Sequence, residues 1–187
     1  MRYSIALLAL SAVGAFASDT VVTFDPAKTQ VHWTLGTVLH TVHGTFQLKN
    51  GTIQFDPATG RASGHIVVSA PSGESGNESR DKKMHSSILE SVRFPEVVFT
   101  PDLVKGNVSA EGKSTIEVHG NFSLHGQGHE FTLPVEVELK SGQATTTCKF
   151  NVPFIKWGLK NPSTFVLRTN DSVEVEIQGT ARVTKVN

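Results

Sequence analysis

The feature that most constrains this chain is a regular alternation of apolar and polar residues along long segments. In 116–124 and 173–183 every second residue is apolar or glycine, and the residues between them are polar. Successive side chains of an extended strand point to opposite faces, so each segment has one apolar face. Antiparallel sheets with one solvated face have this pattern. Because similar segments recur along the chain, the sequence predicts about eight to ten antiparallel strands.

Strand length helps to choose between two packed sheets and a closed barrel. Strands in globular proteins average about 5–6 residues, whereas 114–124 and 173–183 are about twice that length. At about 3.3 Å per residue, such strands suit the tilted wall of a barrel. We therefore predict an all-β fold, an eight-stranded antiparallel barrel. Asn50-Gly51 is expected to form a hairpin turn, because this dipeptide is a strong hairpin signal.

One stretch has the period of a helix instead. We predict a helix at about 79–92, inserted between the two halves of the barrel, with Ser79 as its cap and Pro95 beyond its end. Apolar residues at helical spacing form a stripe that we expect to face the interior. The stripe consists of Met84, Ile88, Leu89 and Val92.

Arg80 and Asp81 stand at the start of this helix. A cation is mildly unfavourable there, and neighbouring helical residues do not face each other. Arg80 is therefore expected to point at another part of the fold. We predict that the pair either anchors the helix to the barrel or binds the polar head group of a ligand.

The inward-facing positions predict a dry, apolar interior with almost no charge. Four glycines lie on inward rows, where they can bend strands at barrel corners or leave internal space. They are Gly44, Gly64, Gly120 and Gly179. An apolar interior of this size suits one long-chain ligand. The predicted lining residues are Trp33, Leu35, Phe46, Ile66, Val68, Met84, Ile88, Phe99, Val118, Phe122, Phe131, Val135, Phe150 and Ile177.

Residues 1–17 have the pattern of a secretory signal peptide. Arg2 provides a positive start, 5–13 an apolar run, and Ala15-Phe16-Ala17 a cleavage site. We expect a periplasmic or secreted protein whose folded domain comprises 19–187. No later segment is apolar enough to make the chain integral to a membrane. With a formal net charge of zero and no basic cluster, nucleic acid is not an expected partner.

The histidines and the single cysteine suggest other chemistry, which the sequence supports less well. His40 and His43 are three residues apart, a spacing that puts extended side chains on opposite faces, so no metal ligand is assigned. Cys148 lies on an inward row, and no G-x-S-x-G motif occurs, so no catalytic residue and no cofactor are predicted. A histidine metal site and a β-module that binds a protein partner remain the alternatives.

The segments DPAKTQVHWTL, LHTVHGTFQLKNGTIQFD, SRDKKMHSSILESVRFPEVVFT and GNFSLHGQGHEFTLPVEV resemble the YceI-like family of exported bacterial lipid-binding proteins. The resemblance covers nearly all of residues 22–185. It implies a lipocalin-like barrel in the periplasm or outside the cell, without catalysis. The implied ligand is a polyisoprenoid, an isoprenoid quinone or a fatty-acid-like lipid. Lys28 departs from the family, which often has histidine there. Monomer and homodimer both stay open.

Overall fold

The computed structural model describes residues 19–163 and 168–186. The predicted signal peptide and most of a strand expected at 165–169 lie outside these ranges. Within them the chain forms nine strands and one short α-helix, α1 (Glu78–Lys83). The strands are β1 Asp19–Phe24, β2 Gln30–Gly36, β3 Thr41–Phe55, β4 Ala62–Glu74, β5 Glu96–Lys105, β6 Gly112–Leu124, β7 Gln127–Lys140, β8 Gln143–Val152 and β9 Val173–Val186.

The strands close into an antiparallel barrel, as the alternation predicted. From β3 to β9 each strand pairs with the next, and β2 joins β9 to β3. A 3₁₀ turn at Pro26–Lys28 separates β1 from β2, and both pair with β3 and β9. β1 and β2 therefore act as one wall strand, which gives an eight-stranded barrel. Closure satisfies the backbone groups that an open sheet edge would expose.

The predicted hairpin at Asn50-Gly51 is wrong. β3 continues through this dipeptide, and its register against β4 shifts by one residue at Lys49. The extra residue makes a β-bulge, so burial moves from Leu48 before the bulge to Ile53 after it. The prediction rested on the Asn50-Gly51 dipeptide alone, and a bulge accommodates these two residues within one continuous strand.

Neighbouring groups occupy the space beside the inward glycines. The indole of Trp33 lies where a Cβ on Gly44 would be, and the ring of Phe24 lies 3.1 Å from the Cβ position of Gly179. At the other two predicted inward glycines, an added Cβ would meet the backbone of the next strand. Close packing and close strand approach therefore explain these glycines, rather than empty internal volume.

The helix begins one residue before the predicted start. Asn77 is the cap, because its side-chain oxygen accepts a hydrogen bond from the backbone N–H of Arg80 at 3.0 Å. The prediction that Ser79 fills this role is wrong. Asparagine and serine are similarly good caps, so the sequence alone did not separate them.

The helical segment also ends earlier than predicted. After α1 the chain makes a π-helical turn, Met84–Ile88, closed by the bond from Leu89 N–H to Met84 O at 2.8 Å. Glu90 then has a φ of 46°, which reverses the chain. Val92 is consequently 99% exposed, so its predicted inward position is wrong. A π turn takes one residue more than an α turn and moves later side chains out of the 3.6-residue period.

The strand directions place four connections at one end of the barrel. β4, β6 and β8 all finish there, so residues 75–95, the β6–β7 turn and the β8–β9 connection share this end with the β2–β3 turn. We call residues 75–95 the cover segment and this end of the barrel the covered end. Among the described residues, no helix is long and apolar enough to cross a membrane.

Candidate functional site

The predicted lining residues are all at least half-buried. Most belong to the main apolar core or pack against it. Those in this group are Leu35, Ile66, Ile88, Phe99, Val118, Phe122, Phe131, Val135, Phe150 and Ile177. Trp33, Phe46, Val68 and Met84 lie outside it. The structure therefore separates the predicted lining into a large core and a smaller group on the β2–β4 side.

An aromatic cluster fills the covered end of the large core. Phe122 lies at its centre, with its ring centroid 6.5 Å from Phe99, 5.9 Å from Phe131, 6.0 Å from Phe150 and 5.5 Å from Trp157. These separations lie in the range of favourable aromatic contacts. Each of the four strands β5, β6, β7 and β8 contributes one of these rings, and the fifth ring, Trp157, comes from the β8–β9 connection. The cluster thus joins the barrel wall to a segment that is not part of it.

The β8–β9 connection contributes to the core although it has no regular secondary structure. Phe154 and Leu159 are buried, at 6% and 5% exposure, and the ring of Trp157 stacks on His129 at 4.2 Å with an interplanar angle of 3°. The apolar residues that recur in 154–159 could have indicated this burial, because solvated loops contain few large apolar side chains. The stack on His129 joins residues 28 apart in sequence, and no local pattern predicts it.

The smaller group lies between the cover segment and the β2–β4 wall. The rings of Trp33 and Phe46 are 6.5 Å apart. Phe46 and Met84 both pack beside Gly73. The Phe46 ring lies 2.4 Å, and the terminal methyl of Met84 2.9 Å, from the position that a Cβ on Gly73 would occupy. Met84 therefore packs on this side, while Ile88 and Leu89 pack on the large core.

Arg80 and Asp81 meet at one residue, Ser75. Arg80 Nε donates to Ser75 Oγ at 2.7 Å, and Arg80 Nη2 donates to Ser75 O at 3.3 Å. The Ser75 hydroxyl in turn donates to Asp81 Oδ1 at 2.5 Å. These bonds tie the start of α1 to the residue that follows β4. Arg80 thus does point away from its own helix, as expected.

His85 forms a hydrogen bond that attaches the cover segment to β4 itself. Its Nε2 lies 2.8 Å from the carbonyl oxygen of Gly73, and its Nδ1 lies 3.0 Å from Ser91 Oγ. A carbonyl oxygen only accepts, so Nε2 carries the proton, and in the neutral ring Nδ1 accepts from the Ser91 hydroxyl. Ser91 is 3% exposed. The bond to Gly73 therefore fixes the start of the π turn to β4, and the bond to Ser91 joins the two ends of the reversal that follows.

The far side of the cover segment is held by charged contacts around Glu90. Its carboxylate is 3.6 Å from Lys160 Nζ and 3.8 Å from His125 Nε2. Lys83 Nζ also donates to the carbonyl of Pro162 at 3.0 Å. The lysine of the first pair is 69% exposed, and exposed ion pairs contribute only about 0–1 kcal/mol. This side of the cover segment is therefore the more weakly held.

The single cysteine and the histidines were the other candidates for chemistry in the sequence. Burial raises the pKa of the Cys148 thiol to about 12, so it stays a thiol rather than a nucleophilic thiolate near neutral pH. The described residues contain no cluster of three His, Cys, Asp or Glu side chains that could hold a metal ion. His43 Nδ1 is instead 3.1 Å from Thr34 Oγ1.

The best-formed surface depressions of the described residues lie outside the apolar interior. One, of about 260 Å³, is lined by His32, His43, Gly44, Thr45, Glu74, Ser75 and Gly76. The other, of about 300 Å³, lies at the opposite end of the barrel beside Asp56 and Arg61. Both are lined partly by charged or histidine side chains and contain none of the predicted lining residues. The candidate site is therefore the interior at the covered end, which the side chains fill in this conformation.

A family model described as "YceI-like domain" matches residues 22–181. Two UPF0312 proteins, from Pseudomonas savastanoi pv. phaseolicola and Pseudomonas syringae pv. syringae, are each 31% identical over 134 residues, which cover 67% of this chain and 68% of each relative.

Solved structures agree on the fold. BcnA of Burkholderia cenocepacia superposes with a TM-score of 0.67 at 16% identity, over 84% of this chain and 98% of BcnA. A structure from Saccharophagus degradans, described as a polyisoprenoid binding domain, has a TM-score of 0.63 at 12% identity, over 87% of this chain and 98% of that domain. At such identities the likeness is one of fold alone.

Proposed function

Because the chain belongs to the YceI-like family, we propose that it is a non-enzymatic carrier that binds a long-chain amphiphile inside its barrel. The ligand classes are those of a polyisoprenoid, an isoprenoid quinone or a fatty-acid-like lipid. The Saccharophagus degradans domain of the same fold, described as polyisoprenoid binding, supports this choice. The signal-like pattern of residues 1–17 supports a periplasmic or secreted location.

The observation that carries the proposal is the chemistry of the interior. The buried side chains of the described residues are apolar except for Thr20, Thr29, Ser91 and Thr146, and none is charged. An alkyl or isoprenoid tail gains about 0.8 kcal/mol for each CH₂ group that it moves from water into such a place. Binding of this kind needs no reactive group, in keeping with a carrier rather than an enzyme.

The tail needs space that the closed conformation fills with side chains. Trp157 is the ring of the aromatic cluster that lies on a connection instead of a strand. It can leave without breaking hydrogen bonds of the barrel wall. We therefore propose that the tail displaces Trp157 and lies against Phe122, Phe131 and Phe150.

Access follows from the unequal attachment of the cover segment. Its β4 side is held by the hydrogen bond from His85 to Gly73 of β4, and its far side by the ion pairs of Glu90. We propose that the segment is a lid, hinged beside β4, that opens where Glu90 leaves His125 and Lys160. Local opening of this kind is expected where few apolar contacts are buried, and neither α1 nor the π turn contains a fully buried residue.

A titration with primary alcohols of increasing chain length tests this function. The sequence has two tryptophans, both in the interior, so intrinsic fluorescence reports binding there. Each added CH₂ should lower the dissociation constant by about fourfold until the tail fills the barrel. The Trp157→Phe variant should bind the same alcohols with a smaller fluorescence change. Absence of binding, or an affinity independent of chain length, would contradict the proposal.

A further inference from the structure

Three buried side-chain nitrogens have no hydrogen-bond partner within the described residues. They are Trp33 Nε1, His125 Nε2 and His129 Nε2. Burying a polar group without a partner costs free energy, and most such groups in native proteins are paired. All three belong to the covered end. Trp33 pairs with Gly44 near the start of β3, His125 lies in the β6–β7 turn, and His129 lies near the start of β7.

The nitrogen of His125 has an explanation in the cover segment. It faces the Glu90 carboxylate at 3.8 Å, too far for a hydrogen bond but close enough for an ion pair when the ring is charged. Its ring also lies 4.2 Å from that of Phe94. His125 is therefore part of the contact that closes the cover segment, which leaves the nitrogens of Trp33 and His129.

These two nitrogens belong to different walls of the covered end, Trp33 in the smaller group and His129 beside the large core. β2 and β7 are three strands apart around the barrel, through β9 and β8. Trp33 packs against Phe46, and His129 stacks on Trp157, the ring that we expect a tail to displace. Because no charged side chain is buried in the described part of the chain, a charged head group would lie here without a counter-ion.

The geometry points to a head-group site beneath the cover segment, in which Trp33 Nε1 and His129 Nε2 hydrogen-bond the oxygen of a neutral lipid head, a hydroxyl or a carbonyl. The inference rests on the proposed function and adds an orientation and a ligand class to it. The head lies at the covered end, and the tail points toward the opposite end. Trp33 can only donate, whereas a neutral His129 donates or accepts at Nε2 according to its tautomer.

Three probes with the same sixteen-carbon tail test the site: hexadecanol, hexadecane and hexadecyl phosphate. The Trp33→Phe and His129→Phe variants each keep an aromatic ring and remove the nitrogen. We expect each variant to lower the ratio of hexadecanol to hexadecane affinity by about fivefold, the contribution of one hydrogen bond. Hexadecyl phosphate should bind the unmodified protein less tightly than hexadecanol. Fluorescence of the remaining tryptophan reports binding to Trp33→Phe.

Folding and surface effects are controlled separately. The His129→Phe variant should unfold at the same or a higher temperature without ligand, because it no longer buries an unpaired nitrogen. His65→Phe, on the exposed face of β4, should leave the ratio of hexadecanol to hexadecane affinity unchanged.

Two results would overturn the head-group site while leaving the carrier function standing. One is an unchanged affinity ratio in both nitrogen-removing variants. The other is tighter binding of hexadecyl phosphate than of hexadecanol. If the unmodified protein binds neither hexadecanol nor hexadecane, both the carrier function and the head-group site are wrong.

Discussion

Replacing Phe122 with alanine is expected to lower the free energy of unfolding by about 3–5 kcal/mol. The side chain is 8% exposed and contacts four other aromatic rings, so its removal leaves a cavity that the β-strand wall cannot easily close. Equilibrium urea denaturation followed by circular dichroism measures the change. A saturating long-chain lipid should recover part of the loss, since it binds the folded state.

Leu39→Ala is the matched control for this substitution. Leu39 is 71% exposed in the β2–β3 turn, and changes at exposed sites are usually within about 0.5 kcal/mol. A loss below about 1 kcal/mol for Phe122→Ala would mean that the aromatic cluster does not hold the covered end together.

The second large effect concerns the cover segment, through the double variant Met84→Ala with Ile88→Ala. Both side chains are half-buried, so each should contribute about 1 kcal/mol to closure, less than a fully buried side chain. Their loss together should raise the open population by about 30-fold, and lipid uptake should quicken accordingly. Stopped-flow tryptophan fluorescence after mixing with lipid measures the uptake rate.

A lid and a plug predict different losses in the free energy of unfolding. If the segment opens as a lid, the loss of unfolding free energy cannot exceed the free energy of closing it, because the barrel remains folded when the lid is open. A plug would instead lose about 2–5 kcal/mol at each site without faster uptake. Val92→Ala on the same segment, with its side chain 99% exposed, should change neither quantity.

The barrel could be predicted from sequence because alternation reports directly on which face of a strand is buried. Other signals were less reliable. The Asn50-Gly51 dipeptide predicted a turn where β3 continues with a bulge at Lys49. The helical period placed Val92 inward, and it is exposed. The hydrogen-bonding of the π turn at Met84–Ile88, which ends the helical period early, depends on packing against the barrel end.

The candidate site was predictable to the extent that it lies on strands. Phe122, Phe131 and Phe150 follow from their inward positions. The ties of the cover segment do not, because a pattern gives the face of Arg80 but not its bonds to Ser75. Contacts such as that of Glu90 with Lys160 join distant connections, whose relative positions only the closed barrel defines.

The most direct test of the carrier function is the mass of the protein as its own cells make it. Native mass spectrometry of freshly purified protein, followed by extraction and identification of any bound lipid, needs no choice of probe. We expect a chain that carries one long-chain amphiphile with a polyisoprenoid or fatty tail. Protein found only in the unbound form, which also takes up no long isoprenoid or fatty chain on titration, would contradict the account.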